Sequence, residues 1–251
     1  MRFGGFTTAL LLVAAQVVAE EKKKEDLPRI IAVTPLQVVV GETQTVRLRG
    51  LKLKDVTELR CTPEITVTVK EKKDAAAPNG LEAKDVGDQE LVAELAVPAD
   101  CAAASIELTA VAPAGESEAR KIFVTPKNVM VTEKEPNNGF AEAQAVDQSK
   151  PISGRIEPDK DVDVYRVDGH AGTALKVRIT AATAGSLLDP VLSVFDATGH
   201  LLGSADDTDG TRDARLTVTP KADGPLCLVV CDAHDRGGPW HEYRLEFDPQ
   251  P

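Results

Sequence analysis

Aromatic residues are scarce in this 251-residue chain, which has one Trp, two Tyr and six Phe. Between residues 20 and 130 the only aromatic side chain is Phe123, whereas six aromatic residues lie after residue 138. Halves that differ so much in aromatic content indicate two domains with different cores. A chain of this length suits two domains of ordinary size.

The chain also lacks an excess of positive charge, because 29 Lys and Arg stand against 40 Asp and Glu and the formal net charge is −11. Nucleic-acid binding requires a basic surface that neutralises phosphates, so we expect no nucleic-acid partner. The acidic balance suits a solvated surface or a site for a hard cation. The charged fraction of 27% argues against wholesale disorder.

Long apolar runs are absent after residue 19. Residues 1–19 combine a positive start at Arg2, a short apolar run and small residues before a cut at Glu20, which is typical of a secretory signal peptide. An uncleaved N-terminal anchor is the alternative. We expect an exported protein, located in the periplasm, at the cell surface or outside the cell, with no membrane span after signal cleavage. Residues 20–27 form a charged leader.

Cysteine is limited to four residues. Export permits disulfides, and a Cys61–Cys101 bond remains open on the sequence alone. Cys227 and Cys231 lie four apart on a predicted strand, which separates them by roughly 13 Å. A disulfide requires Cα atoms within about 7 Å, so we expect these two to be small buried residues without a mutual bond.

Short strands with period-two patterning and frequent Pro and Gly predict an all-β protein. In the first half, strands are predicted over 29–33, 37–40, 45–48, 65–69, 91–97, 106–111 and 121–124. Residues 72–89 are polar and predict a long exposed loop. We expect one β-sandwich over 28–126.

Residues 30–53 contain a strand, Pro35, a turn at Gly41 and a strand ending in Gly50-x-x-Leu53. This segment resembles the start of an IPT/TIG-type immunoglobulin-like domain. The resemblance implies an immunoglobulin-like sandwich that acts as a spacer or an interaction module.

The second half contains an ordered series of motifs. These are Glu133-Lys-Glu-Pro-Asn-Asn138, Ile152-Ser-Gly154, Asp161-Val-Asp-Val-Tyr165, Leu188-Asp-Pro-Val-Leu192, Asp196-Ala-Thr-Gly199, Asp206-Asp207 and Tyr243-Arg-Leu245. The series resembles the bacterial pre-peptidase C-terminal domain over about residues 130–248. The resemblance implies a jelly-roll-like sandwich over 139–249, preceded by a linker and possible calcium-binding segment over 127–138. The fold class is therefore two consecutive antiparallel β-sandwiches, with one short helix expected over 140–146.

Acidic and amide side chains are concentrated in the linker and in the next turn. In an extended segment, Glu133, Glu135 and Asn137 point the same way, and Asp161 and Asp163 share a face. Converging carboxylates repel each other unless a cation lies between them, and calcium prefers six to eight oxygen ligands. In some members of the resembled family these segments bind calcium. The candidate metal ligands are Glu133, Glu135, Asn137, Asn138, Asp161 and Asp163.

An alternative without a metal remains for this segment, in which the Asn residues bond backbone groups and the Glu residues are solvated. A second acidic loop contains Asp206, Asp207 and Asp209 but has Thr217 where an EF-hand loop requires Glu. Trp240 could either form a binding face or pack against the last strand.

Catalytic motifs such as G-x-S-x-G are absent from the sequence, so no catalytic residue is assigned. We predict a secreted, non-catalytic accessory module that recognises extracellular protein or polysaccharide, with calcium as its candidate stabilising ion. One alternative is a secreted hydrolase that uses His234, His241 and nearby Asp residues. Another is a structural component of the cell envelope.

Overall fold

The computed structural model describes residues 26–78 and 81–248, and it places them in two consecutive β-sandwiches. The predicted all-β fold class is confirmed. The predicted signal peptide and most of the charged leader lie outside the described residues. Within the described ranges, no helix has the length and apolar character needed to cross a lipid bilayer.

The first sandwich consists of two sheets of short strands that pack on one aliphatic core. The strands are β1 (Arg29–Thr34), β2 (Gln37–Val39), β3 (Thr43–Leu51), β4 (Glu58–Thr62), β5 (Thr66–Asp74), β6 (Gln89–Ala96), β7 (Ser105–Ala112), β8 (Gly115–Glu116) and β9 (Arg120–Thr125). One sheet has the order β1-β3-β6-β5, and the other has the order β2-β9-β7-β4 with β8 beside β7.

The alternation of buried and more exposed side chains along the strands explains this core. Ile106, Leu108 and Ala110 on β7 are fully buried, because every second side chain of a strand faces the opposite sheet. Leu, Ile and Val side chains supply most of the core volume, and Phe123 only packs against its edge. The scarcity of aromatic residues in this half therefore reflects a core filled by aliphatic side chains.

The prediction of one long exposed loop over 72–89 was wrong in part. Strand β5 continues to Asp74, and a helical turn, α1 (Ala83–Val86), lies before β6. The loop is held inward by the buried side chain of Arg49, which donates hydrogen bonds to the carbonyls of Ala76 and Val86 at 2.7 and 2.8 Å. A sequence pattern cannot reveal this long-range contact.

The second sandwich has a mixed core that includes buried tyrosines. Its strands are β10 (Val131–Thr132), β11 (Gln144–Ala145), β12 (Ile152–Arg155), β13 (Val162–Gly169), β14 (Leu175–Thr180), β15 (Pro190–Phe195), β16 (Leu201–Ala205), β17 (Arg215–Val218), β18 (Gly224–Asp232) and β19 (Glu242–Phe247). The sheet orders are β10-β12-β19-β14-β17 and β11-β13-β18-β15-β16.

Three short strand pairs depart from the predicted antiparallel arrangement. Strands β2 and β9, β10 and β12, and β11 and β13 pair in parallel. Each pair includes a strand of two or three residues at the edge of a sheet. The chain runs parallel to its neighbour there and then crosses to the other sheet.

The predicted helix over 140–146 was also wrong. The chain turns at 140–142 and then forms β11. The Gln144 side chain accepts a hydrogen bond from Lys134 N at 2.8 Å and donates to Thr132 O at 3.1 Å. These bonds hold Gln144 beside residues 132–134, so the segment is extended and not helical.

All four cysteines carry free thiols in the structure. Cys61 is buried on β4, and burial raises the pKa of its thiol to about 11. The Cys61–Cys101 bond that the sequence left open is therefore not formed, and Cys227 and Cys231 are separate residues of β18.

The two sandwiches meet through a network centred on Glu242 at the start of β19. Its carboxylate accepts hydrogen bonds from Thr34 Oγ1 at 2.8 Å and from Leu36 N at 2.9 Å, both in the first sandwich. Arg155 of the second sandwich donates to the same carboxylate at 2.7 Å. Charge-assisted bonds of this kind are stronger than neutral ones, so Glu242 connects the two domains firmly.

Candidate cation site

The chain from β10 to β11 crosses from one sheet of the second sandwich to the other. Its first strand pairs with β12, and its last pairs with β13. Between them, Glu133 N donates to Ser153 O at 2.9 Å and Asn137 O accepts a bond from Val164 N at 2.8 Å. The predicted linker therefore closes one open edge of the sandwich, and its acidic side chains lie at that edge.

Asp161 and Asp163 reach the same edge from the other side. Asp161 is fixed by its own turn, since its carboxylate accepts bonds from Glu157 N at 2.8 Å and Val162 N at 2.9 Å. Asp163 is the second residue of β13 and faces inward, where it is fully buried. Backbone donors position the Asp161 carboxylate, whereas burial on β13 positions that of Asp163.

The structure brings all six predicted ligand residues to one place. Carboxylate oxygens of Glu133, Glu135, Asp161 and Asp163 all lie within 4.8 Å of one another. The amides of Asn137 and Asn138 border the same cluster. We call these six residues the acidic cluster.

The two asparagine amides lie against carboxylate oxygens of the acidic cluster. Position 137 is fully buried, and one end of its amide lies 3.1 Å from Glu135 Oε2 and 3.2 Å from Asp163 Oδ1. With nitrogen at that end, the amide donates to both carboxylates. With oxygen there, it adds another ligand atom facing a cation. The Asn138 amide has the same choice beside Asp161 Oδ1, at 2.9 Å.

Burial makes the charged forms of Glu133 and Asp163 costly. Burial, followed by the nearby charge of Glu133, raises the pKa of Asp163 to about 9. Burial also raises the pKa of Glu133. Without a cation, at least one of the two groups therefore holds a proton at neutral pH, and a bound cation would replace that proton.

Two buried tyrosines lie beside the acidic cluster, and one of them contacts it directly. The Tyr243 hydroxyl donates to Asp163 Oδ2, and the two hydroxyls of Tyr243 and Tyr165 are 2.7 Å apart. Burial raises the pKa of both tyrosines, so both stay protonated. Gly154 makes room for them, because a Cβ there would lie 2.4 Å from the Tyr243 hydroxyl oxygen.

Sequence reasoning did not assign a role to these tyrosines or to Gly154, although each belongs to a motif that it noted. Gly154 and Tyr243 occupy paired positions on β12 and β19. Only the register of that pairing shows that the two residues meet.

The donor set of the acidic cluster fits calcium. Every candidate ligand atom is a carboxylate or amide oxygen, and hard divalent cations prefer such atoms over nitrogen and sulfur. The four carboxylates carry more negative charge than the site can hold without a proton or a cation. Glu133, Glu135, Asp161 and Asp163 would hold the ion, with Asn137 and Asn138 as amide ligands.

Glu133 also connects the acidic cluster to the domain joint. Its carboxylate accepts a hydrogen bond from the backbone N–H of Arg155 at 2.6 Å. The side chain of Arg155 then reaches Glu242, which bonds the first sandwich. A change in the position of Glu133 therefore acts on the strand that carries the interdomain contact.

The other candidate residues are not assembled into comparable sites. Among the described residues, Asp206, Asp207 and Asp209 do not converge into a metal-ligating group. Trp240 is buried beneath Arg47 of the first sandwich, whose guanidinium lies 4.9 Å from the ring centroid, so Trp240 belongs to the joint and not to an exposed binding face.

The two histidines of the hydrolase alternative lie in different environments. The His234 side chain is exposed, and its Nε2 is 3.6 Å from Asp189 Oδ2. The His241 side chain is buried, with no hydrogen-bond partner for Nδ1. One histidine lies at the surface and the other in the interior, so they do not form a shared exposed site.

Comparison with known proteins gives only distant similarities. No family model matches the chain. No curated protein matches it significantly. Among solved structures, it is similar to the pre-peptidase C-terminal domain of a collagenase from Bacillus anthracis, with 12% identity, coverage of 46% of this chain and 100% of that one, and a TM-score of 0.36.

Two further similarities involve carbohydrate-related proteins. One is SGBP-B of a mixed-linkage glucan utilization locus from Bacteroides ovatus, in complex with a heptasaccharide, with 12% identity, coverage of 88% and 74%, and a TM-score of 0.30. The other comprises the CBM51-2 and INT domains of ZmpB from Clostridium perfringens, with 14% identity, coverage of 71% and 38%, and a TM-score of 0.29. Similarities at this level carry no argument about function. The IPT/TIG resemblance stays a prediction.

Proposed function

We propose that this chain is an exported, non-catalytic binding module of two β-sandwiches whose second domain is stabilised by calcium. The observation that supports it best is the convergence of four carboxylates within 4.8 Å at the edge of the second sandwich. Asp161 and Asp163 are buried, and buried carboxylates are costly without a counter-ion. The module recognises an extracellular protein or polysaccharide.

Calcium in this proposal has a structural role. The ion would join the crossing segment, which supplies Glu133 and Glu135, to β13 and its preceding turn, which supply Asp163 and Asp161. It would thereby hold the two sheets together at that edge. Through Glu133, Arg155 and Glu242, the same ion would restrain the joint with the first sandwich.

The direct test is calorimetric titration of calcium into the mature protein. We expect saturable binding with one site, and we expect Glu135→Gln and Asp161→Asn each to weaken it by about tenfold or more, because each removes one charged ligand. Asp147→Asn is the matched control, since Asp147 is an exposed carboxylate outside the acidic cluster. Absence of saturable binding in the unchanged protein would refute the calcium proposal.

A structural component of the cell envelope remains the second function that we consider. Pull-down from envelope material separates them, because an envelope component is retained by its assembly whereas a soluble module is recovered free.

A further inference from the structure

A cleft of about 400 Å³ lies between the two sandwiches, on their outer surface beside the joint. Strand β9 of the first sandwich forms one wall with Lys121 and Phe123. The second sandwich forms the other wall with β14, the start of β17 and the loop that precedes β17. Ligand clefts of a few hundred Å³ occur preferentially at such domain interfaces.

The charges of this cleft are balanced. Three cationic and three acidic side chains line it, and they are Lys121, Arg178, Arg215, Asp209, Asp213 and Glu246. An anionic ligand would require a net positive cleft, and a cation would require a net negative one. Arg178 pairs with Glu246 at 3.0 Å and Arg215 pairs with Asp209 at 3.7 Å, so the cleft carries no net charge and suits a neutral ligand.

Hydroxyl groups add to this polar lining. Thr180, Thr183, Thr208 and Thr211 all border the cleft. The loop that carries two of them is shaped internally, because Thr211 Oγ1 donates to Thr208 O at 2.9 Å and Thr208 Oγ1 accepts from Arg215 N at 3.1 Å. The wall is therefore ordered before any ligand arrives, which lowers the entropic cost of binding.

A small apolar surface completes the cleft. The half-buried ring of Phe123 lies at its floor, with Lys121 Nζ and the Arg244 guanidinium each 5.0 Å from the ring centroid. Ile179 and Ala214 supply further apolar atoms. Sugars present C–H faces beside their hydroxyl groups, so they match a cleft that combines these two kinds of surface.

We infer that this interdomain cleft binds a neutral polysaccharide. The inference rests on the proposed function, because it names the ligand class and the site of the binding module. A protein partner fits less well, since the fully buried centre of a protein interface is apolar and depleted in charge, whereas six charged side chains line this cleft beside its small apolar surface. Both domains contribute side chains, so the site exists only when the joint is intact.

The test is calorimetric titration with soluble neutral oligosaccharides of glucose, xylose, mannose and N-acetylglucosamine, and with oligogalacturonate as an anionic probe. We expect at least one neutral probe to bind saturably and oligogalacturonate not to bind. Arg215→Ala and Phe123→Leu should each weaken neutral binding by about tenfold, the loss of roughly one good polar or stacking contact.

Controls separate the site from the fold. Lys84→Ala and Arg166→Ala remove exposed cations outside the cleft and should bind as the unchanged protein does. Arg215 is largely exposed, so its variant tests binding even if Phe123→Leu lowers the melting temperature.

Three outcomes overturn the inference. If a neutral probe binds equally well to both cleft variants, the cleft is the wrong site while a polysaccharide-binding function stands. If only oligogalacturonate binds, the ligand class is wrong. If no probe binds, polysaccharide recognition at the cleft is refuted, and the calcium titration above still decides the structural part of the proposed function independently.

Discussion

Each sandwich buries charge beside a loop, but the two do so in opposite ways. In the first, Arg49 is 4% exposed and Glu90 is 6% exposed, and the two side chains face each other across β3 and β6. In the second, the acidic cluster collects four carboxylates with no cationic side chain among its members. The first arrangement balances its own charge, whereas the second needs a proton or an external cation.

The difference shows what a buried charge can reveal. Arg49 and Glu90 are satisfied within the protein, because Arg49 also bonds loop carbonyls and Arg47 donates to Glu90 at 2.8 Å. Such a pair explains local structure and implies no ligand. The acidic cluster has backbone donors and a tyrosine as partners, which satisfy its hydrogen bonds but not its charge. Of these two buried sites, only the uncompensated one therefore points to a bound cation.

The largest expected effect is on the balanced site. Arg49→Met should lower the free energy of unfolding of the first sandwich by about 3–4 kcal/mol, because it leaves Glu90 with one partner fewer and frees the loop carbonyls. Urea unfolding measures this loss, and calcium should not change it. Arg60→Met is the matched control, since the Arg60–Glu116 pair is exposed and contributes little. A loss as small as that of the control would show that the buried pair is not structural.

The next effect is on the unbalanced site, and its sign depends on calcium. Calcium at a hundred times its dissociation constant should raise the stability of the unchanged protein by about 2.7 kcal/mol. Without calcium, Asp163→Asn should stabilise the second sandwich by about 1 kcal/mol, because the folded protein then no longer has to take up a proton at a buried carboxylate. With calcium the same variant should be the less stable protein.

Thermal unfolding with and without a chelator measures this reversal. Asp168→Asn is the control, because Asp168 lies on the same strand but is exposed. If Asp163→Asn destabilises the protein equally in both conditions, the acidic cluster is a hydrogen-bonded structural site like that of Arg49, and the contrast between the two sandwiches disappears.

The smallest effect concerns His241, a third buried ionisable group. Burial lowers the pKa of His241, and the nearby charges of Asp232 and Asp159 oppose that shift only in part. The unfolded chain then binds a proton more readily, so stability is present above about pH 6.5 and falls as the pH drops through that value. The contribution to the slope is at most about 1.4 kcal/mol per pH unit.

His241→Gln should remove this part of the pH dependence. Urea unfolding of the two proteins between pH 7 and pH 5, in the presence of calcium, measures it as a difference. Parallel stability curves would mean that His241 is protonated as easily in the folded state as in the unfolded chain.

Much of the fold and of the site follows from local pattern. Alternation predicted the strands around Ile106 and Leu108, because a half-buried strand requires it. The spacing of Glu133, Glu135 and Asn137 indicated a shared direction for their side chains. The helix predicted over 140–146 failed because the bonds of Gln144 to Thr132 and Lys134 favour an extended crossing. Such contacts between distant positions have no local signal.

The sequence by itself determined that the protein is all-β, that its two halves have different cores, and which six side chains offer oxygen ligands. Those properties follow from the amino-acid composition and from the periodicity of apolar and polar residues along the chain. Only the tertiary structure decided that the carboxylates converge, that Tyr243 and Gly154 complete their surroundings, and that Glu242 connects the cluster to the first sandwich. These properties depend on contacts between residues up to 208 positions apart in the chain, such as Thr34 and Glu242, and on strand register, which is settled by the packing of the whole core.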